Sequence, residues 1–142
     1  MFARGVFSVE EFMPAAMPLE KAPKTALDLG LATILKKYSG EVHGISTALF
    51  SSAYNETSGQ GTYVAIDAFE GSLNGLAGTF NYAHASSTTG NDRANEFFLI
   101  VPASGTGELT GITGNGGITI DEDGTHRIEF DYELPEQSAE PK

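Results

Sequence analysis

A glycine phrase that occurs twice in full and once in part constrains this chain more than any other feature. It reads Gly71-Ser72-Leu73-Asn74-Gly75-Leu76-Ala77-Gly78, then Gly107-Glu108-Leu109-Thr110-Gly111-Ile112-Thr113-Gly114. A fainter copy is Gly40-Glu41-Val42-His43-Gly44-Ile45-Ser46-Thr47. Asn74-Gly75 between aliphatic residues is a strong hairpin signal, because a two-residue type I′ turn needs positive φ at both central positions. His43-Gly44 and Thr110-Gly111 occupy the equivalent places, so both are expected to be turns. Threonine tolerates positive φ poorly, so the turn at Thr110 is expected to be of another type. The outer glycines mark close strand crossings, where a side chain would clash. A phosphate-binding loop would need a helix and a lysine after Gly114, and neither follows.

Six of the 17 glycines fall between Gly105 and Gly117, and the pattern around them is alternation rather than helical spacing. Strands are expected over 2–9, 25–42, 45–55, 62–73, 76–87, 94–101, 118–120 and 126–134. The last alternates cleanly, with Ile128, Phe130 and Tyr132 set against Arg127, Glu129, Asp131 and Glu133. Residues 10–24 carry Pro14, Pro18 and Pro23 and read as a loop with apolar teeth at Phe12, Met13, Met17 and Leu19. That loop packs along the domain or lies as a lid over its mouth. Eight antiparallel strands close into a barrel that holds side chains or one small ligand and leaves no free edge. The expected fold is therefore an all-β, closed, eight-stranded antiparallel barrel over residues 1–134, with a polar tail at 135–142.

Charge and composition remove several functions. The 142 residues carry 8 Lys plus Arg against 19 Asp plus Glu, a net charge of -11, which repels nucleic acid and anionic membranes. With no cysteine, thiol catalysis, disulfides and thiolate metal sites are excluded. The N-terminal residues lack the apolar core of a signal peptide, so a cytoplasmic protein is expected. Asp121-Glu122-Asp123-Gly124 lacks the ligand spacing of a calcium loop, and the histidines lack a metal spacing. None of the serines, Ser104 included, stands in a nucleophile elbow. No cofactor and no metal are expected.

The residues then resemble a known family. Tyr38-Ser39-Gly40 to Gly44, Phe69-Glu70-Gly71 to Phe80 with His84, Val101-Pro102-Ala103-Ser104-Gly105-Thr106-Gly107-Glu108-Leu109 to Gly116, and Asp131-Tyr132-Glu133-Leu134 carry the likeness. It is to small bacterial domains of unknown function, similar in fold to allene oxide cyclase, and it runs from Gly5 to Leu134. The resemblance implies an allene oxide cyclase-like (calycin-like) barrel often found in oligomers, with no assigned chemistry. No local motif matches the plant cyclases, so no catalytic residue is carried over from them.

Turn registry yields a candidate site. A two-residue turn at Asn74-Gly75 pairs Leu73 with Leu76, Phe69 with Phe80, Asp67 with Tyr82, Ala65 with His84 and Tyr63 with Ser86, all on one face. That face is the more apolar and is placed inside. The expected ligand-binding set is Tyr63, Asp67, Phe69, Phe80, Tyr82, His84, Phe130 and Tyr132, and the catalytic candidates are His84, Asp67 and Tyr82. A buried carboxylate needs a partner, and His84 can titrate near neutrality. The same residues can equally form a hydrogen-bond network that ties strands together. A turn at His43-Gly44 would face Val42, Ile45, Tyr38, Leu49, Ile34 and Ala53 inward, and Leu35, Phe50 and Tyr54 outward. His126, in phase with Ile128, would reach the same rim. The outward apolar set points to a homo-oligomer, first of all a dimer. Three functions follow: a barrel binding a small, largely apolar molecule, an isomerase or cyclase using the Asp–Tyr–His cluster, or a filled structural barrel.

Overall fold

The computed structural model describes residues 1–16 and 20–136. Eight strands follow one another around a closed antiparallel barrel: β1 (Phe2–Pro14), β2 (Leu29–Gly40), β3 (Val42–Asn55), β4 (Gln60–Leu73), β5 (Leu76–Thr89), β6 (Ala94–Ile100), β7 (Thr113–Ile120) and β8 (His126–Glu133). β1 pairs with both β2 and β8, so the ring leaves no edge. Among the described residues no helix is long and apolar enough to cross a membrane.

The β4–β5 hairpin follows the turn chemistry residue for residue. Asn74 and Gly75 both have positive φ, 50° and 85°, and the pairs Leu73–Leu76, Phe69–Phe80, Asp67–Tyr82, Ala65–His84 and Tyr63–Ser86 all form. The Thr110-Gly111 turn is of another type, as threonine requires. Thr110 lies at φ -57°, ψ 129° and Gly111 at φ 81°, and Ile112 N–H donates to the Leu109 carbonyl at 3.1 Å, a type II turn. It follows a 3₁₀ turn over Gly107–Leu109, so β7 begins at Thr113 rather than at 118.

The first hairpin departs from expectation. His43-Gly44 is not a turn: β2 and β3 pair Tyr38 with Gly44, Lys36 with Ser46 and Ile34 with Ala48. Gly44 is there for a different reason. It faces Gly71 of β4, and a Cβ at Gly44 would lie 2.2 Å from the Glu70 carbonyl oxygen. The glycine permits a close crossing, and the chain reverses earlier, around Gly40 (φ 108°). This register turns Ile45 and Leu49 outward, brings Phe50 inward, and leaves His43 as an exposed strand residue. Tyr54 is exposed at the barrel mouth.

β1 also runs five residues further than expected, to Pro14. A register shift between Val9 and Glu11 lets the strand continue, and proline is tolerated as its last residue. Phe12 and Pro14 are thus strand residues at the mouth, not teeth of a loop; Met17, Pro18 and Leu19 lie outside the described residues, as does the tail from 137. β2 starts at Leu29 rather than 25. The β6–β7 seam holds one registered pair, Leu99–Asn115, and the Glu96 carboxylate reinforces it by accepting the Ile118 N–H at 3.0 Å.

The two ends of the barrel differ. Toward the Asn74 turn the interior is filled by Phe69, Phe80, Phe130, Leu73 and Tyr132, all buried. Phe80 meets Phe69 at 4.9 Å and Phe130 edge-on at 5.4 Å between ring centres, a geometry that adds to area burial. Asn74 closes that end by donating to the Tyr132 hydroxyl at 2.8 Å. The opposite end opens into a cavity.

Candidate functional site

Between the filled end and the open end lies a layer of buried polar groups centred on Asp67. The carboxylate is fully buried and takes three close partners. Lys36 Nζ stands 3.0 Å from Oδ2, Ser46 Oγ donates to Oδ2 at 2.8 Å, and His84 Nε2 lies 3.1 Å from Oδ1. Burial alone would push the Asp67 carboxyl up, but the His84 hydrogen bond, the Lys36 charge and the Ser46 hydroxyl together hold it below the ordinary carboxylate value. Burial lowers Lys36 more than Asp67 raises it. Burial likewise lowers His84, helped by the Lys36 charge and opposed by the Asp67 hydrogen bond. At neutral pH the layer therefore holds an ionised Asp67 and a neutral His84.

An ionised carboxylate only accepts, and this orients the hydrogen bonds around it. Ser46 donates to Asp67 and its oxygen accepts from Tyr38 at 2.6 Å, the Tyr38 hydroxyl standing also 3.5 Å from Asp67 Oδ2, and Tyr38 in turn accepts from Tyr82. On the other side Nε2 of His84 carries the hydrogen, which leaves Nδ1 as an acceptor for the Tyr63 hydroxyl at 3.3 Å. Two chains, Tyr82–Tyr38–Ser46 and Tyr63–His84, thus converge on one carboxylate. Burial raises the Tyr82 and Tyr38 hydroxyls well above their usual value and keeps both protonated. Among the described residues no buried side-chain nitrogen or oxygen lacks a partner.

Of the two chains, the one through Tyr63 opens at the barrel mouth. Tyr63 lines a cavity of about 930 Å³ at the barrel mouth, together with Phe12, Leu31, Phe50, Ser52 and Arg93. Phe50 stacks on Tyr63 at 5.2 Å between ring centres, and Phe12 meets Phe50 edge-on at 5.8 Å. Arg93 donates from Nη2 to the Tyr63 hydroxyl at 2.9 Å and to Glu96 at 3.1 Å, with its guanidinium 5.7 Å from the Tyr63 ring centre. Burial raises the Tyr63 pKa against the lowering effect of the Arg93 hydrogen bond.

The sequence-derived residues divide accordingly. Asp67, Tyr82 and His84 are brought together in the polar layer, and Tyr63 joins it to the cavity. Phe69, Phe80, Phe130 and Tyr132 lie in the packed end and do not line the cavity. His126 packs against Phe7 at 5.0 Å between rings, and Lys36 Nζ lies 5.1 Å from the centre of that same Phe7 ring, so His126 stands beside the layer without bonding to Asp67. Sequence reasoning missed Lys36, Ser46 and Arg93. Lys36 shares strand parity with Ile34 and Tyr38, a signal that places it inside. Ser46 follows from Lys36 once the β2–β3 register is known.

An antiparallel eight-stranded barrel with one filled end, one open end and an ionised layer between them is the class these features define. The chain belongs to the family described as "Protein of unknown function (DUF3224)", whose model matches residues 3–132. A solved structure of a protein of unknown function from the same family, from Shewanella oneidensis MR-1, is 30% identical with a TM-score of 0.81, covering 95% of this chain and 98% of that one. No curated protein matches the chain.

Proposed function

We propose that this barrel binds a small, largely apolar molecule in the mouth cavity, oriented by Tyr63 and Arg93. The observation that carries the reading is the cavity itself. About 930 Å³ is walled by Phe12, Leu31, Phe50 and Tyr63, with a few convergent polar groups, in a barrel whose other end is filled. Ligand pockets have this size and this mixture of linings. The expected ligand contacts shift from the buried phenylalanines to the mouth residues, while Asp67, Tyr82 and His84 form the layer beneath. Kinship with allene oxide cyclase-like barrels belongs to the same proposal, supported by the eight antiparallel strands in sequential order.

Titration with N-phenyl-1-naphthylamine, a fluorescent apolar probe, tests it. One saturable site per chain is expected, abolished by Ser52→Trp, which fills the mouth. Absent saturation, or equal binding by the variant, contradicts the reading.

Self-association is part of the proposal, on a separate observation. Two rows of outward residues cross four strands: Leu49, Ile66, Ala83 and Leu99, then Ser51, Val64, Ala85 and Phe97. None is charged, and Leu49, Val64, Ile66, Phe97 and Leu99 are exposed. On a chain with net charge -11, an uncharged apolar sheet face is where two copies meet with least repulsion. Light scattering should give a dimer that Ile66→Glu dissociates; a monomer at micromolar concentration removes the idea.

A further inference from the structure

We infer that Tyr63 is the catalytic residue of an acid–base site on the cavity floor, acting on a small carbon acid such as an enolisable ketone or enone. This rests on the cavity being a ligand site and goes beyond it in assigning chemistry. The first support is directional. Because Asp67 fixes the hydrogen of His84 on Nε2, the Tyr63 O–H points inward to Nδ1. The Tyr63 oxygen accepts one Arg93 hydrogen at 2.9 Å and keeps its second lone pair for the cavity, with a proton acceptor directly behind it. A hydroxyl, an imidazole and a carboxylate in this order form the arrangement that activates a hydroxyl in serine hydrolases, here with a phenol as the proton carrier.

The second support is the neighbouring charge. Among the described residues Arg93 hydrogen-bonds through Nη2, to Tyr63 and Glu96, which leaves the Nε and Nη1 hydrogens for a ligand oxygen. A carbon acid needs a base and, beside it, a cation to meet the enolate oxygen. The cavity floor supplies both within one hydrogen bond. Tyr82, by contrast, is fully buried and donates to Tyr38, so it serves the interior.

The step balances without any co-reactant. The α-carbon proton passes to the Tyr63 oxygen as the Tyr63 hydrogen passes to Nδ1 of His84. The C–H electron pair moves to the carbonyl oxygen, and the resulting enolate faces Arg93. The imidazolium is held by Asp67. Returning the proton to the same carbon exchanges it with solvent; returning it two carbons further along an enone shifts the double bond. His84 and Asp67 are positioning residues in this scheme.

The test follows deuterium exchange at the α-carbon of 2-tetralone, phenylacetone and cyclohex-3-enone in D₂O by proton NMR, with saturation transfer reporting binding in the same tube. Wild type is expected to exchange at least one of them faster than buffer, and Tyr63→Phe to lose about 10²-fold of that rate. His84→Gln should lose a similar factor and flatten the pH profile, which a purely structural role would not do. Arg93→Gln, at a partly buried position, should lower the rate as well with the melting temperature checked alongside, and His43→Ala on the outer face should not. Exchange unchanged in Tyr63→Phe and Arg93→Gln overturns the inference. Binding without exchange overturns it too and leaves the binding reading intact. If none of the three binds, both fall.

Discussion

The two ends of this barrel are built from the same strands and the same alternation, yet one is solid and the other hollow. On β4, Phe69 fills the closed end while Tyr63, six residues earlier on the same face, borders open space. The difference lies in the partners. Phe69 is met by Phe80 and, through it, Phe130, so aromatic rings from three strands interlock. Around Tyr63 the inward positions of neighbouring strands are Ser52 and Ser86, too small to fill the barrel's width. Small side chains at one end of a barrel of constant strand number leave volume there. Stability is therefore concentrated at the closed end and ligand access at the open end, with the Asp67 layer as the floor between them.

That contrast can be broken most forcefully from the closed end. Phe80→Ala should cost about 3–5 kcal/mol by chemical denaturation, the expectation for deleting a buried aromatic ring. Ser52→Trp at the open end should change stability by no more than about 0.5 kcal/mol, as at a solvated position, while removing ligand binding. Similar losses for the two variants would mean the ends are not distinct.

The floor should be nearly as sensitive. Asp67→Asn leaves Lys36 buried without its counter-charge, and breaking such a pair costs about 3–5 kcal/mol. Lys36→Met should cost less, because Asp67 keeps Ser46 and His84. Denaturant midpoints of the two variants in that order sharpen the account; the reverse order contradicts an ionised Asp67.

The pH dependence follows from the same layer. The folded-state pKa of His84 is lowered from 6.5, so its contribution is complete above that value and is lost as pH falls through the folded pKa. Asp67, lowered from 3.8, adds a further loss as pH falls below that value. Melting temperature should thus decline from about pH 6.5 downward, and His84→Gln should reduce the upper part of the decline, the remainder coming from His126, which burial also lowers from 6.5. A flat profile down to the carboxylate range would place His84 in solvent.

The smallest expected effect is Tyr82→Phe. It ends the Tyr82–Tyr38–Ser46 chain one hydroxyl early and should cost about 1 kcal/mol, the net worth of one hydrogen bond. Probe binding at the mouth should be unchanged, whereas Tyr63→Phe should weaken it.

Much of this was legible before the fold was known, and the reason is local chemistry. Asn74-Gly75 dictates a two-residue turn, and from it the whole β4–β5 face follows, including the Asp67–His84 pairing. His43-Gly44 looks the same in sequence, yet its glycine answers a neighbouring strand rather than a turn, and that need is visible only once β4 is beside it. A turn at His43-Gly44 shifts the register by one face, which puts Phe50 outside and hides Ser46 from the layer; the true register brings both inward. Arg93 lies between strands, where no periodicity marks a residue. The hollow end was illegible because volume depends on what several strands contribute at one level, not on any one of them.

Native mass spectrometry of the gently purified protein tests the central claim most directly. The account predicts a small molecule of fixed mass bound to each wild-type chain and absent from Ser52→Trp purified in the same way. Wild-type chains of bare mass, or an adduct carried equally by Ser52→Trp, would contradict a ligand site at the open end.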